Sequence, residues 1–389
     1  MNQKGKNKDI SCREGTHDAV SLVDGFLGGA VESGASDVHF EPTEKGLVVK
    51  YRLDGVLQNV ETLPKTMAEN IVARLKVLGN LLTYRNDIPQ EGRIEVNSHN
   101  QSVVDERLAV FPTIHGQRAV VRIFYQHYNL TDLEQLGFSQ TILETLKKIA
   151  FRNQGLLLLS GPAGSGKSTT LAALLRNIMQ KFPGKSIVSL EDPVEIRVDG
   201  VTQVQITPYG EMTFPIALRS LLRQDPQVLM IGEIRDAETA KIAIEAALTG
   251  HFLMSTMHSS TPAAGFLRLL EMGIEPYQIS SSVSAILNQR LVRRLCDKCK
   301  KKNEESGYYE IGGCESCFGT GFKGRALIAE IVEVDSQLRK AIALKHDLEQ
   351  IETILKDKGH VNMLADGRRL LEQGITSVDE INRVCGVIE

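Results

Sequence analysis

Eight consecutive residues, Gly161-Pro162-Ala163-Gly164-Ser165-Gly166-Lys167-Ser168, follow the apolar run Leu156–Leu159 and run straight into Thr169-Thr-Leu-Ala-Ala-Leu-Leu175. The glycines allow successive backbone N–H groups to converge on phosphate oxygens, and a helix starting at Lys167 adds its partial positive charge. At this spacing the Lys167 ammonium reaches the terminal phosphates, and the Ser168 hydroxyl, with Thr169 behind it, is placed for Mg²⁺. The plainer alternative is a Gly-rich turn between a strand and a helix; strand, glycine loop and helix nonetheless stand in the order that a phosphate-binding loop requires. The expected ligands are ATP and Mg²⁺.

A second group consists of Cys296-x-x-Cys299 and Cys314-x-x-Cys317. Four thiolates in two such pairs suit tetrahedral Zn²⁺, with a redox dithiol as the alternative. Glu191 ends the run Ser186–Glu191 and Glu233 ends Val228–Glu233, so both carboxylates close apolar strands, as a turn acid also can. His251 and His258 flank the apolar run Phe252–Met257; Arg219 and Arg223 stand four apart, as on one helix face.

These groups need elements to hold them. Residues 1–16 read as a polar tail. Apolar spacing predicts a helix over Asp18–Ser33, and alternation predicts a hairpin through Ser36–Pro42 and Gly46–Leu57 with a turn at Asp54-Gly55. A helix at Lys65–Leu78 follows, then strands near Gly92–Val96, Val103–Phe111 and Arg118–Phe124. Together they make an α+β domain over 17–125, joined by a linker at 126–132 to a second domain over 133–389. There, helices alternate with short apolar runs, which implies a mostly parallel sheet between helices. After Gly265 the chain reads as largely helical apart from the cysteine segment 296–317. Gly374 should stop a helix, and Thr376 or Ser377 should cap the next, with Glu380 placed for a capping box.

Of 389 residues, 42% are hydrophobic and 24% charged, and the net charge is −3, which provides no global field for nucleic acid. Lys298 and Lys300–Lys302 form only a local basic patch. No apolar run has the length of a transmembrane helix and the N-terminus lacks a signal-peptide core, so direct insertion in a membrane is not expected.

The Gly161–Ser168 loop, Glu191-Asp-Pro-Val-Glu195, Leu221–Asp236 and Thr249–His258 occur in the order of the Walker A, Asp box, Walker B and His box, and the chain resembles the type II/type IV secretion ATPases. The stretches Ala35–Pro42 and Pro89–Ile94 are similar to that family's second N-terminal domain, and the four cysteines resemble its assembly-motor branch. The resemblance implies a PAS-like N-terminal domain, a RecA-like ATPase domain and a cytoplasmic homo-hexamer peripheral to the inner membrane. Such a hexamer drives type II secretion or type IV pilus assembly through a membrane platform protein. It assigns Glu191 to the attacking water, Glu233 to Mg²⁺ or its water shell and His258 to sensing the γ-phosphate, with His251, Asp192 and Glu195 in support. Which of Glu191 and Glu233 is the base stays open, with Glu191 favoured. It also places Arg93 and Arg107 on the γ-phosphate, and Arg219 and Arg223 near a neighbouring subunit's site; surface solvation is the plainer role for all four arginines. Other readings are a retraction or DNA-transport motor of the same superfamily, a non-hydrolysing ATP-binding scaffold, and a zinc-ribbon nucleic-acid binder.

Overall fold

A computed structural model describes residues 18–95, 103–125, 132–206 and 210–386. The tail expected at 1–16 and all but the last residue of the linker expected at 126–132 lie outside them. Contacts divide the chain into two units, Met1–His127 and Tyr128–Glu389.

In the first unit, helix α1 (Ala19–Ser33) leads into β1 (Asp37–Pro42), β2 (Gly46–Leu53) and β3 (Val56–Pro64); α2 (Lys65–Leu78) and β4 (Gln90–Ile94), β5 (Val103–Thr113) and β6 (Gly116–Tyr125) complete it. The sheet is antiparallel throughout, in the order β3-β2-β1-β6-β5-β4. Asp54 and Gly55, both at positive φ (47° and 86°), form the two-residue turn between β2 and β3. Period-two alternation sends Val38, Phe40, Val49, Leu108 and Val121 to one face, where Ile71 and Leu75 of α2 and Val23 of α1 close the core.

The second unit begins with a 3₁₀ turn at Leu133–Leu136 and α3 (Gln140–Ala150), followed by β7 (Gly155–Ser160), α4 (Lys167–Lys181), β8 (Ile187–Glu191) and β9 (Thr202–Gln205). Next come α5 (Phe214–Leu221), β10 (Val228–Ile231), α6 (Ala237–Leu248), β11 (Phe252–Met257), α7 (Pro262–Glu271) and α8 (Pro276–Ser282). β12 (Val283–Leu295), the short β13 (Lys301–Lys302) and β14 (Tyr309–Glu310), and β15 (Phe322–Glu333) precede the final helices α9 (Ser336–Ala343), α10 (Leu348–Asp357), α11 (Met363–Glu372) and α12 (Val378–Cys385). Seven strands form one sheet in the order β15-β12-β7-β11-β10-β8-β9, parallel except for β15 against β12. Its two faces carry separate apolar cores, one under α5–α10 and one under α3 and α4.

The expectation of a largely helical chain after Gly265 is wrong. β12 and β15 pair from Ala285↔Glu333 to Leu295↔Phe322. β12 is buried along most of its length, and a strand covered on both faces loses the alternation that would announce it. The C-terminal caps also differ in part. Gly374 (φ 64°) follows α11 and the Ser377 hydroxyl accepts from the Glu380 N–H. The Glu380 carboxylate, however, does not turn back to complete a capping box. It accepts from the Arg293 backbone N–H (2.9 Å) and from Nε and Nη2 of Arg293 (3.0 and 2.7 Å).

Candidate active site

Every residue of β7 is buried, which fixes the strand's end and so the loop that follows it. Gly161, Gly164 and Gly166 have φ of 138°, 73° and 89°, values that side chains seldom tolerate. A β-carbon on Gly161 would stand 2.3 Å from the Gln289 carbonyl oxygen on the neighbouring β12. The Lys167 ammonium donates to the carbonyls of Gly161 and Pro162, both at 2.9 Å. Burial pulls its pKa below the ordinary lysine value, while Glu233 and Glu195 pull the other way. Ser168 is exposed in the first turn of α4, Thr169 is half-buried, and the buried Ser165 hydroxyl has no partner among the described residues. A cation, an open hydroxyl and a glycine backbone gathered at the start of a 15-residue helix suit a phosphate chain with its Mg²⁺.

Strand register brings the other candidates to the same edge. β7 pairs with β11 up to Ser160↔Met257, and β10 pairs with β8 up to Ile231↔Leu190. Gly161, His258, Gly232-Glu233 and Glu191 therefore close four adjacent parallel strands at their C-terminal ends, where open α/β sheets bind ligands. Glu191 is buried, and its Oε1 accepts from Ser189 Oγ (2.6 Å) and from Gln203 Nε2 (3.0 Å) on β9. Burial raises its pKa; these two bonds oppose the shift and Glu195 adds to it. Glu233 is held by His258 Nε2 at 3.1 Å and by Arg235 Nε at 2.7 Å. Gly232 stands where a second acid would otherwise sit. Its N–H donates to the Leu190 carbonyl at 2.7 Å, and a β-carbon there would come within 3.4 Å of Glu191 Cα. The missing carboxylate thus lets β8 and β10 close together beside Glu191.

Asp192 and Glu195 are exposed. His251 is not in this group: it precedes β11 at the opposite end of the sheet, with Nδ1 3.2 Å from the Ala246 carbonyl. Arg219 is in α5 and pairs with Glu238 at 2.7 Å. Arg223 lies just past α5, which ends at Leu221, in the turn that leads into Asp225 (φ 50°) and Pro226.

In the first unit, Arg93 and Arg107 belong to a larger array. Arg93 stands opposite Arg107, Arg107 opposite Arg122, Arg122 opposite Asp37, and Asp37 opposite Arg52, so one transverse row crosses five strands on the face away from the helices. Like charges in such positions repel, and two carboxylates hold them. Asp105 lies 2.6 Å from Arg93 Nε and 3.1 Å from Arg107 Nε, and Asp37 accepts from Arg122 Nε at 2.9 Å and Arg52 Nε at 3.1 Å. Among the described residues, no Nη group of Arg93, Arg107 or Arg122 donates a hydrogen bond, and these side chains are 72%, 49% and 65% exposed. Three guanidinium forks are thus aligned by their inner nitrogens and open at their outer ones, the arrangement an anion needs.

The cysteines form one cluster. Sγ of Cys296 and Cys314, of Cys299 and Cys317, and of Cys314 and Cys317 are 3.8, 3.8 and 3.7 Å apart, and all four lie within 4.8 Å of one another. Tetrahedral ligation with Zn–S bonds of about 2.3 Å requires edges of about 3.8 Å. Backbone N–H groups of Cys314 and Gly321 point at Cys317 Sγ from 3.3 Å, as suits a thiolate. The donor set and spacing fit zinc.

Sequence reading missed four supporting residues: Ser189 and Gln203 on Glu191, Arg235 on Glu233, and Gln289 against the loop. Only Gln289 carried a signal, as part of a polar pair (Asn288-Gln289) inside the apolar run of β12.

A family model described as "Type II/IV secretion system protein" matches residues 13–383. The type IV pilus assembly ATPase PilB of Thermus thermophilus is 39% identical over 364 residues, which cover 89% of this chain and 41% of that protein. The type II secretion system ATPase E of Vibrio cholerae is 38% identical over 394 residues, 97% of this chain and 78% of that protein. Among solved structures, the Legionella pneumophila ATPase DotB superposes with a TM-score of 0.70 at 21% identity, covering 96% of this chain and 97% of that one. A pilus retraction motor, PilT with bound ADP, gives 0.62 at 23% identity, covering 93% and 96%. At these identities the structures speak for the fold alone. The chain spans less than half the length of the Thermus relative.

Proposed function

The chain belongs to the type II/IV secretion system protein family, and from that membership we propose that it hydrolyses ATP to drive assembly of a type II secretion pseudopilus or a type IV pilus. The observation that carries this reading is the buried Glu191, its pKa raised by burial, at the C-terminal edge of the sheet that also carries the Gly161–Ser168 loop, in a chain that matches pilus and secretion ATPases along most of its length. A water attacks the γ-phosphorus, Glu191 takes a proton from it, and the β–γ bridging oxygen leaves with ADP. Lys167 and the loop amides hold the phosphates in line. His258, through its contact with Glu233, reports the loss of the γ-phosphate. Ser168, with Glu233 on the water shell, would hold Mg²⁺, which supplies neutralisation of the β- and γ-oxygens. The four cysteines would hold Zn²⁺ as a structural cross-link.

The arginine row supplies positive charge to the γ-phosphate through Arg93 and Arg107, and Arg219 and Arg223 serve a neighbouring copy. The working form is a ring of six copies that moves a platform protein of the inner membrane, without inserting into the membrane itself. Steady-state phosphate release tests the enzymatic core: the wild type turns over, Lys167→Ala does not bind ATP, and Glu191→Gln binds without turning over. Wild-type turnover by Glu191→Gln would overturn the assignment of the base.

A further inference from the structure

Gln289 is completely buried on β12, one residue beyond the last β12–β7 pair, Asn288↔Ser160. Its Nε2 donates to the Ser165 carbonyl at 2.8 Å, and a β-carbon on Gly166 would stand 3.3 Å from the same nitrogen. The amide oxygen is buried without a partner among the described residues. An orphaned buried acceptor is costly, and its cost offsets much of what the single bond to the Ser165 carbonyl contributes. Stability alone therefore does not account for a glutamine here. Flipping the amide would set oxygen against the Ser165 carbonyl oxygen, so the donor orientation is the one that can persist.

The consequence follows from the peptide plane. In a trans peptide the carbonyl and the following N–H point in opposite directions. Drawing the Ser165 carbonyl back toward β12 aims the Gly166 N–H at the concave side of the loop. Gly164 and Gly166 both have positive φ, and glycine gives this peptide little intrinsic preference for one orientation over the other. From this we infer that Gln289 is a positioning residue for phosphate binding: it fixes the Ser165–Gly166 peptide so that the Gly166 amide faces the nucleotide's phosphate chain. The inference rests on the Gly161–Ser168 loop being the nucleotide site. The amide belongs to the cradle and not to the attacking water, so ground-state binding depends on Gln289 and the chemical step does not.

The test is Gln289→Met, which keeps the volume and removes both donor and orphaned acceptor, measured beside Gln289→Ala and Lys167→Ala in the full-length protein. The expected result is a three- to tenfold loss of affinity for both ATP and ADP and a matching rise in KM, with kcat at saturation within twofold of wild type, as for one lost hydrogen bond. Zinc content should stay at the wild-type value in the methionine variant, and its melting temperature should fall by no more than a few degrees, as for one lost hydrogen bond. Unchanged nucleotide affinity in a folded Gln289→Met or Gln289→Ala protein overturns the inference, as does a fall in kcat without a change in affinity. If Lys167→Ala binds ATP as well as wild type, it is the reading of the loop that has failed, and the two outcomes are separable.

Discussion

Glu191 and Glu380 are both buried carboxylates, yet their surroundings push them in opposite directions. Among the described residues Glu191 has two neutral donors and no cation, so burial prevails and its folded pKa lies above the ordinary value. A raised carboxylate pKa means that ionisation costs folding stability once the pH passes the unfolded value. Glu191→Gln should therefore lower phosphate release by about 10²- to 10⁴-fold, the range for loss of a general base, while melting no lower than wild type at pH 7.5 by scanning calorimetry. For the same reason, kcat of the wild type should fall on the acid side with an inflection above the usual glutamate range. Arg107 also belongs at this scale. Its Nε is committed to Asp105 and its Cζ lies 4.8 Å from the centre of the Phe124 ring. A lysine cannot hold Asp105 and present a fork together. Arg107→Lys is expected to cut kcat at least tenfold, as for a lost arginine finger, with little change in melting temperature; full turnover would remove the arginine row from the reaction.

Among the elements, α12 is tied to β12 by the ion pair of Glu380 with Arg293, and Arg383 of α12 itself holds the same carboxylate. Burial alone would raise the carboxyl pKa; the hydrogen bonds from Arg383 and Arg293 bring it down to about 2. Against an unfolded value near 4.3, the pair contributes about 3 kcal/mol. That contribution is present above pH ~4.3 and lost as the pH falls toward about 2. Glu380→Ala should destabilise by about 3–5 kcal/mol, because it leaves Arg293 without its buried partner. Urea unfolding at pH 7 and pH 3 checks both statements, and the variant should differ from wild type far less at the lower pH. The same helix marks what the residue pattern could convey. Ser377 and Gly374 announced the ends of α11 and α12, because caps are local chemistry. The partner of Glu380 was invisible, because Arg293 lies 87 residues away in the chain. Short strands ending in Glu191 and Glu233 were legible from apolar runs closed by an acid. β12 and β15 were not, since arginines and a glutamine break their runs and pairing across the zinc segment leaves no periodic trace. Lys167, Glu191, Glu233 and His258 could be named as separate residues, but their convergence depends on strand order, which a single sequence does not print.

At the scale of the whole molecule, the family match extends over nearly the full chain, and its two units differ in construction. The first offers an antiparallel face with aligned guanidinium groups, and the second a mostly parallel sheet whose one edge gathers the loop, two acids and a histidine. Within the second unit, β12 backs the phosphate loop at Gln289, grips α12 at Arg293, and is followed at once by Cys296. Thirteen residues of one strand thus join three tasks that look separate in the chain. A zinc ion on the four cysteines would brace the end of this strand, so protein stripped with a strong chelator, while still folded by circular dichroism, should bind a fluorescent ATP analogue at least threefold more weakly and recover on zinc return.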